Sequence, residues 1–428
     1  MRHIGIQLTV LSPLAIRADH APGGAATARY IAGSTLMGSL AALYRLFYDD
    51  RHADFKQLFL SQRVFYPDLF PATFGGKVEK GGIEWWNRVD MPVYPLPLTA
   101  RTCKRSPGFL EIPPGDTREV GHGACDSLFD WTIFKLASEG RPVPLAGALR
   151  LLEAQQKCSE CGKSTKVFLE HYRRNESISN RPIMAAHAST RVQTHTGISR
   201  ETGTVQEGIL YSREVFKEQT RFWGLLKVPD ELAGSLKDFL AQVGNSGLLR
   251  VGAGRSRGLG KVRLDAELLN ENSYSYPAFK ERLETFHRAF ISRAGTVLDA
   301  LKPEHFTFAL TLHSPAILRD EPLRFHQSIS EATLGRLLQL PPDSFQESYQ
   351  ATASRRIAGW KEAWDMPRFQ ELAIDMGSVF FFASRLGAHE ALLQKLYDME
   401  QEGIGERRAE GFGRVCVSDP FHLEVTLR

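Results

Sequence analysis

The sequence predicts an α+β protein made of two related units, each with the element order βαββαβ. Two internal matches carry this prediction. Residues 8–17 (LTVLSPLAIR) and 310–319 (LTLHSPAILR) share Leu-Thr, Ser-Pro and a closing arginine. Residues 251–262 (VGAGRSRGLGKV) and 404–415 (IGERRAEGFGRV) share three aligned glycines. Because both matches occur in the same order, they indicate a duplication rather than two unrelated strands that each end in Ser-Pro.

Each unit is predicted to begin with a strand, which in the first unit leads into a helix. Residues 8–11 and 306–312 partly alternate between apolar and polar side chains, as half-buried strands do. Ser34 is the predicted N-cap of the first helix, because a serine hydroxyl can accept a hydrogen bond from the free N–H groups of the first turn. The apolar face of this helix recurs at helical spacing and consists of Leu36, Leu40, Leu43 and Phe47.

Each unit is predicted to end with a strand, a helix, a glycine-rich loop and a last strand. The strand candidates are residues 222–228 and 378–383, and Asp230 is the predicted cap of the helix that follows the first of them. The apolar stripes of the two helices are Leu232, Leu236, Phe239 and Leu240 in the first unit, and Leu392, Leu393 and Leu396 in the second. This order fits a ferredoxin-like, RRM-like fold for each unit.

The two units differ in length because the first carries a long insertion, predicted at about 65–215. The sequence therefore predicts a first domain at 1–275, a helical connector at 276–304 and a second domain at 305–428. Pro277 opens the connector. Its apolar stripe predicts that it packs against the domains, and this stripe consists of Phe279, Leu283, Phe286 and Phe290.

The positive charge is concentrated around the first glycine loop. The chain as a whole has a net charge of +4, whereas residues 151–263 hold 18 basic and 11 acidic side chains. The stretch 250–263 has no acid and carries Arg250, Arg255, Arg257, Lys261 and Arg263. Glycines let a phosphodiester approach the backbone closely, so this loop is a candidate site for a sugar-phosphate chain. The alternative is a tight turn with a solvated basic face.

A dinucleotide-binding site and a P-loop are two further interpretations of the first glycine loop, and both are disfavoured, the second because no Gly-Lys-Ser/Thr follows. A dinucleotide fingerprint follows a strand and opens a helix, whereas here the order is helix, loop and strand. The second loop is a weaker candidate because Glu406 and Glu410 dilute its arginines.

Residues 171–200 add a second basic stretch, in which aromatic and histidine side chains are interleaved and can stack on bases. A solvated basic surface remains the alternative there.

Four cysteines in the insertion have the number and spacing of a structural zinc site. Cys158 and Cys161 form a CxxC pair followed by glycine, and Cys103 and Cys125 precede them. Four thiolates suit a closed tetrahedral zinc site, which supplies folding free energy directly. His122 or His171 is an alternative to one of the lone cysteines, and free thiols or a redox pair are the alternative to zinc. The sequence contains no HExxH motif, which would have indicated a catalytic zinc site.

Several motifs resemble the RAMP superfamily of CRISPR-associated proteins. These are the Ser-Pro strand followed by YIAGSTLMG at 30–38, the basic glycine loop, and ISRETGTVQEGILY at 198–211 followed by Phe-Trp-Gly at 222–224. The insertion opening PLPLTARTC at 95–103 and the pairs Gly359-Trp360, Pro367-Arg368 and Gly377-Ser378 extend the resemblance. Together they are most similar to the Cas5-like double-RAMP subunit of type III-D effector complexes.

This resemblance implies a non-catalytic subunit in antiviral defence. Such a subunit grips the 5′ handle of CRISPR RNA and caps the effector complex beside the large polymerase-like subunit and the backbone RAMP subunits. It meets target RNA only indirectly. The expected RNA-binding residues are Arg17, His20, Arg29, Ser34, Arg181, Arg191, His195, Arg200, Arg250, Gly252, Gly254, Arg255, Arg257, Gly258 and Lys261. The expected ligands of structural zinc are Cys103, Cys125, Cys158 and Cys161.

Two other functions stay open at this point. Some RAMP proteins cut precursor RNA by general acid/base catalysis, and His20 and His195 are candidate groups, although neither has a visible partner in the sequence. A zinc-stabilised scaffold unrelated to RNA is the other alternative. No apolar run approaches the roughly 20 residues that a membrane span needs, and no export signal is evident, so we expect a cytoplasmic protein.

Overall fold

The computed structural model describes residues 1–17, 26–48, 52–73, 89–109, 121–139, 146–174, 183–186, 188–198, 201–202, 204–295, 305–320, 323–361 and 366–424. Its strands are β1 (Arg2–Val10), β2 (Phe70–Pro71), β3 (Val93–Pro95), β4 (Ala100–Cys103), β5 (Ala124–Asp126), β6 (Thr165–Val167), β7 (His171–Arg174), β8 (Ile183–Ala186), β9 (Thr190–Ile198), β10 (Val205–Phe216), β11 (Arg221–Val228), β12 (Val262–Leu268), β13 (Phe306–Leu312), β14 (Phe345–Ala351), β15 (Ser354–Ile357), β16 (Trp360–Lys361), β17 (Met366–Pro367), β18 (Glu371–Ile374), β19 (Val379–Ser384) and β20 (Val415–Val417). Its α-helices are α1 (Gly33–Phe47), α2 (His52–Phe55), α3 (Leu128–Ser138), α4 (Ala146–Gln156), α5 (Asp230–Ser246), α6 (Tyr276–Gly295), α7 (Glu331–Leu338), α8 (Glu390–Glu402) and α9 (Phe421–Glu424). Within these ranges no helix combines the length and apolar character that crossing a membrane requires.

The first unit is built on a four-stranded antiparallel sheet in the order β12-β1-β11-β2. The central strand β1 pairs along its length with β11 on one side and β12 on the other. Its alternate side chains Ile4, Ile6 and Leu8 are fully buried in one core with Leu36 of α1 and Leu240 of α5. The helix stripes predicted from the sequence therefore pack on this face of the sheet.

The second unit has a sheet of the same order, β20-β13-β19-β14. In both sheets the last strand of the unit lies beside the first, followed by the third and then the second. Phe308 and Leu310 of β13 are buried with Leu392 and Leu396 of α8 and with helix α7. The protein is thus a mixed α/β molecule with two corresponding antiparallel sheets.

The two repeated segments of the sequence bind each other in the same way in both units. In the first unit, Gly260 N donates to Pro13 O at 2.9 Å. In the second, Gly413 N donates to Pro315 O at 2.8 Å. The residues beside these glycines repeat a second contact: Lys261 N donates to Ser12 Oγ at 2.9 Å, and Arg414 N donates to Ser314 Oγ at 2.8 Å. The Ser-Pro pair therefore anchors the glycine loop in each unit.

The insertion of the first unit packs against the second unit. Its helix α3 buries Leu128, Phe129 and Ile133 with Phe290 of α6 and Phe381 of β19. The connector stripe Phe279, Leu283, Phe286 and Phe290 is buried throughout. The insertion also contains the small sheets β3-β7-β8 and β5-β4-β6. It therefore completes a core that belongs largely to the other half of the chain.

Buried polar contacts join the same two regions. His422 Nδ1 lies 2.8 Å from Asp126 Oδ2 of the insertion, and the Tyr172 hydroxyl donates to Asp419 Oδ1 at 3.2 Å. The neighbouring Asp126 carboxylate outweighs burial and raises the pKa of His422 above its ordinary value. These two hydrogen bonds therefore link the insertion to the C-terminal segment of the second unit.

Two details of the sequence prediction, both of them helix caps, are wrong. Helix α1 begins at Gly33, its N-cap is Ala32 and no side chain caps it, so Ser34 is not the N-cap. Helix α5 begins at Asp230 with Pro229 as its N-cap. Strand β2, which falls inside the span predicted for the insertion, pairs with β11 at the edge of the first sheet. The connector residues 296–304 lie outside the described ranges.

Candidate nucleic-acid interface and metal centre

The first glycine loop, residues 250–261, is shaped by glycines in the left-handed region. Gly252, Gly254, Gly258 and Gly260 all have φ between +75° and +81°. A Cβ on Gly252 would lie 2.4 Å from Ala15 O, and one on Gly260 would lie 2.1 Å from Val251 O. Between Gly254 and Gly258 the chain makes one 3₁₀ turn, Arg255–Arg257, that is exposed. The glycines thus fold the loop tightly onto the Ser-Pro strand and hold an arginine-bearing turn outward.

Three cations of this loop have no acidic partner among the described residues. Arg250 and Arg257 are exposed and Lys261 is half-buried, and none of these three forms an ion pair within the described part of the chain. Arg263 is different, because its Nε lies 3.2 Å from Asp265 Oδ2. The uncompensated charges therefore gather on the loop rather than on the strand that follows it.

The hairpin of β9 and β10 lies against the first glycine loop. Its register places Tyr211 opposite His195, and their rings stack with centroids 5.2 Å apart. Arg257 Nη1 donates to the Tyr211 hydroxyl at 3.0 Å. A Cβ added to Gly254 would lie 3.1 Å from Arg213 Nη1. The first glycine loop and the β9–β10 hairpin thus form one surface. It combines guanidinium groups, stacked rings and glycines that leave room for a ligand beside the backbone.

Two buried polar atoms on this hairpin have no hydrogen-bond partner within the described residues. They are His195 Nε2 and Gln193 Oε1. Leaving such atoms unpaired costs free energy, so they are suited to meet polar groups of a ligand. Gln193, Tyr211 and Arg213 were not among the candidate binding residues predicted from the sequence. Only the strand register, which pairs Arg213 with Gln193, brings them to the loop.

The other predicted RNA-binding residues are dispersed. Arg17 and Arg29 are exposed in the segment before α1, whereas Arg191 is paired with Glu218 at 2.8 Å. Ser34 is half-buried at the start of α1. His20, Arg181 and Arg200 lie outside the described residues. The structure therefore brings His195 together with the predicted loop residues and leaves Arg17, Arg29, Ser34 and Arg191 outside that contact set.

The start of α1 is already covered by protein groups. Gly33 N donates to Asp68 Oδ1 at 2.8 Å, and a Cβ on Gly33 would lie 2.6 Å from Glu410 O. Glu410 belongs to the second glycine loop, residues 403–414, which packs here through a hydrogen bond from Tyr66 N to Ala409 O. A carboxylate and a carbonyl thus occupy the position that a phosphate would need at this helix end.

Arg407 and Arg408 of the second glycine loop are paired with acidic side chains, whereas Arg414 contacts the carbonyl oxygen of Phe65. Arg407 is paired with Glu371 and, at 2.8 Å, with Glu410, and Arg368 lies 2.9 Å from Glu410. The Arg407 guanidinium lowers the pKa of Glu410 against the effect of burial, which alone would raise it. In the second unit the corresponding glycine loop therefore forms a packing contact.

Three cysteines and a histidine of the insertion form a compact donor cluster. The side-chain donor atoms of Cys103, His122, Cys158 and Cys161 all lie within 4.8 Å of one another. Cys103 Sγ is 3.5 Å from Cys161 Sγ, and Cys158 Sγ is 3.6 Å from His122 Nδ1. Two sulfurs bound to one tetrahedral zinc are about 3.8 Å apart. The set therefore has the number, type and spacing of donors that a metal ion requires.

Local backbone structure positions these donors. Cys103 ends β4, His122 precedes β5, and a tight turn carries the other two: Cys158 N donates to Lys163 O at 2.7 Å and Gly162 N to Cys158 O at 2.8 Å. Burial acts to raise the pKa of Cys103, but hydrogen bonds from the backbone N–H groups of Ser106 and Arg105 outweigh it and lower the value to about 6. A thiol of that pKa is readily available as thiolate, which is the form that binds metal.

Cys125 is not part of this cluster, which corrects the predicted ligand set. Its thiol donates to Gln155 Oε1 at 3.0 Å, and burial, reinforced by the charge of Asp126, raises its pKa to about 12. His122 is the fourth member of the cluster instead, and it is one of the two alternatives that the sequence analysis had left open. The other, His171, is buried elsewhere and stacks on Phe70 with centroids 5.0 Å apart.

The fold and the site define a protein of two corresponding α+β units with one cationic glycine loop. A family model described as the RAMP superfamily matches residues 7–263. Since this match covers more than half of the 428 residues, the chain belongs to the RAMP superfamily. No curated protein matches the chain significantly.

Several solved structures are similar to the chain at low identity. Type III-B Cmr-beta bound to cognate target RNA and AMPPnP contains a chain that is 14% identical, with 88% of this chain and 86% of that chain covered and a TM-score of 0.34. The apo state of type III-B Cmr-beta gives 11% identity, 62% and 97% coverage and a TM-score of 0.28. Oligomeric Cmr4 from Pyrococcus furiosus gives 14% identity, 63% and 99% coverage and a TM-score of 0.26.

Proposed function

We propose that this protein is an RNA-binding structural subunit of a type III CRISPR effector ribonucleoprotein, in which the first glycine loop and the β9–β10 hairpin grip the 5′ handle of CRISPR RNA. The observation that carries the proposal is the hydrogen bond from Arg257 to Tyr211, with Tyr211 stacked on His195. It joins phosphate-binding cations to rings on which bases can stack. Membership of the RAMP superfamily supports it.

The resemblance to the Cas5-like double-RAMP subunit of type III-D complexes supplies the finer parts of the proposal. Each unit is interpreted as ferredoxin-like, and the matching strand orders support this. The subunit caps the complex beside the large polymerase-like subunit and the backbone RAMP subunits, and it meets target RNA indirectly. It acts without catalysis, because a metal-independent RNA cleavage needs a base and an acid together. The described residues place His195 beside Tyr211 and Arg257 but bring no second histidine to it.

RNA binding by the loop is tested with the double substitution Arg255→Ala and Arg257→Ala. The affinity for handle-containing RNA should fall, and the slope of log affinity against log salt should become shallower by about 0.7 for each phosphate that the variant no longer neutralises. Filter binding or fluorescence anisotropy at several salt concentrations measures both. Arg407→Ala and Arg408→Ala in the second glycine loop are the matched control and should leave the slope unchanged. Equal slopes in the parent and the Arg255/Arg257 variant would contradict the proposal.

The same samples test the catalytic alternative. On denaturing gels, with and without magnesium, precursor and guide-matched RNA should stay intact. Site-specific cleavage that disappears with His195→Ala would instead favour an endoribonuclease.

We also propose that the cluster of Cys103, His122, Cys158 and Cys161 holds a structural zinc ion. Four donors and no open position suit a structural rather than a catalytic site. The cluster joins strand β4, the start of β5 and the turn before β6. A bound ion would therefore cross-link three segments that are distant in sequence, and its binding free energy would be folding free energy.

Zinc binding is tested by metal analysis together with one on-site and one off-site cysteine substitution. The purified protein should contain about one zinc ion per chain. Cys158→Ser should remove the metal and lower the thermal midpoint by roughly 5–10 °C, which corresponds to a few kcal/mol for a domain of this size. Cys125→Ser is the control, because a serine hydroxyl can still donate to Gln155, and it should retain the metal. A metal-free parent that is unaffected by chelator would rule the site out.

A further inference from the structure

The surface around the metal centre carries five exposed cations, here called the knuckle patch: Lys104, Arg105, Lys157, Lys163 and Lys166. Backbone contacts bring their segments together. Lys104 N donates to Ser164 O at 3.1 Å, and Lys166 lies opposite Thr102 in the pairing of β4 with β6. A bridge also joins Lys157 to Ser164. The five side chains therefore emerge from three adjacent segments of one small element.

The five cations of the knuckle patch outnumber the acids within their own two segments. Residues 103–107 and 157–167 contain one acidic side chain, Glu160. No ion pair involves any of the five cations within the part of the chain that the structure describes. Like charges held close together repel, and a polyanion would relieve that repulsion and release its own counterions on binding. The patch therefore fits a ligand with several negative charges.

A groove beside the knuckle patch indicates which kind of polyanion the patch binds. It has a volume of about 280 Å³, and its lining includes Arg101, Trp131 and Gln156 as well as Ser164, which touches the patch. The Trp131 ring is half-buried and is braced by Tyr349, which lies parallel to it at 6.3 Å. A fixed indole face beside a guanidinium and an amide suits a nucleobase, which can stack and form hydrogen bonds at its edge. An acidic peptide would pair with the cations but would not stack on the Trp131 ring.

We propose that the knuckle patch and this groove bind a segment of single-stranded RNA, with phosphates on the lysines and a base against Trp131. The site is formed by β4, β6, α3, α4 and the metal-binding turn. It shares no residue with the first glycine loop. It is therefore a second RNA contact of the subunit and stands independently of how the first loop binds the handle.

The test uses the full chain in the Arg255→Ala, Arg257→Ala background, so that binding by the first glycine loop is weakened. The probe is an oligouridine of about 12 nucleotides containing 4-thiouridine. Adding Lys104→Gln and Lys163→Gln should make the salt slope shallower by about 1.4, since each neutralised phosphate of a single strand contributes about 0.7 to the slope. Lys56→Gln and Lys237→Gln remove the same charge from exposed sites on the first unit and should leave the slope unchanged.

Two further measurements distinguish the contribution of base stacking to binding from that of the phosphate contacts. Trp131→Leu should weaken binding roughly tenfold or more without changing the salt slope, because stacking does not depend on counterion release. Photocrosslinks should map to the peptides that contain Trp131 or residues 157–167. Equal slopes for both lysine pairs, or crosslinks confined to the hairpin and the first glycine loop, would overturn the proposal. Displacement of the probe by polyglutamate at equal charge would also overturn it, in favour of an acidic protein partner.

Discussion

Among single residues, Gly260 carries the clearest structural requirement. It has φ of +77°, and a Cβ there would lie 2.1 Å from Val251 O. Gly260→Ala should therefore lower the free energy of unfolding by at least about 2 kcal/mol, from backbone strain and a steric clash. Denaturant unfolding followed by circular dichroism measures the change.

The control for this substitution is Gly234, which lies within helix α5 and has open space around its Cα. Gly234→Ala should stabilise the protein by about 0.5–1 kcal/mol, because alanine loses less backbone entropy in a helix. Similar losses for the two variants would show that the loop glycine is not specifically required.

Residue types in the sequence were sufficient to predict the first glycine loop, but not the complete site. Glycine and arginine in a short segment act locally, so their spacing already indicates an anion-binding turn. Tyr211 and Arg213 reach that turn only through the pairing of β9 with β10, which no local pattern specifies. For the same reason the sequence left Cys125, His122 and His171 as competing ligands. The choice between them depends on how β4 and β5 pair and what surrounds them.

Strand β7 contains a histidine whose burial makes the stability of the protein depend on pH. Burial lowers the pKa of His171 to about 3, and the positive charge of Arg29 adds to this. Between about pH 6.5 and pH 3 the unfolded chain binds one proton at this residue that the folded chain does not. The free energy of unfolding should therefore decrease by about 1.4 kcal/mol per pH unit as the pH falls through this window.

The contribution of His171 is isolated by His171→Phe, which keeps an aromatic ring beside Phe70. The variant should lose stability more slowly than the parent as the pH falls below 6.5, by about 1.4 kcal/mol per unit. Urea unfolding at a series of pH values gives the two slopes. Parallel curves for parent and variant would mean that His171 does not hold its low pKa in the folded state.

Helices and strands illustrate which features of an element can be predicted from the sequence. The stripes of α1, α5, α6 and α8 pack on the core as their spacing indicates, with Leu43, Phe47 and Leu232 half-buried at its margin. The caps predicted at Ser34 and Asp230 are wrong. The N-cap positions fall on Ala32 and Pro229, and at α1 Asp68 supplies the acceptor for Gly33 N from a distant segment.

For the whole molecule, the sequence predicted the duplication and the weaker charge of the second loop, but not the acidic partners that hold that loop's arginines. Both glycine loops use the same contact to a Ser-Pro pair. Among the described residues, Arg250, Arg257 and Lys261 of the first loop have no acidic partner, whereas Arg407 of the second is paired with Glu371 and Glu410. The docking of α3 on the second unit was also beyond prediction, since it joins Ile133 to Phe381 across a long stretch of chain. One copy thus leaves an arginine-bearing turn exposed, while the other packs against the first unit.

The position of α3 has a consequence for how the chain is made. Phe129 leaves the ribosome about 250 residues before Phe381, its partner in the core. At the usual pace of translation this is a delay of roughly 12–50 s. During that time Leu128, Phe129 and Ile133 have no completed surface to pack on, and the nascent first half presents an apolar helix to its surroundings. Early release or truncation of the chain would leave that helix exposed to chaperones and to aggregation.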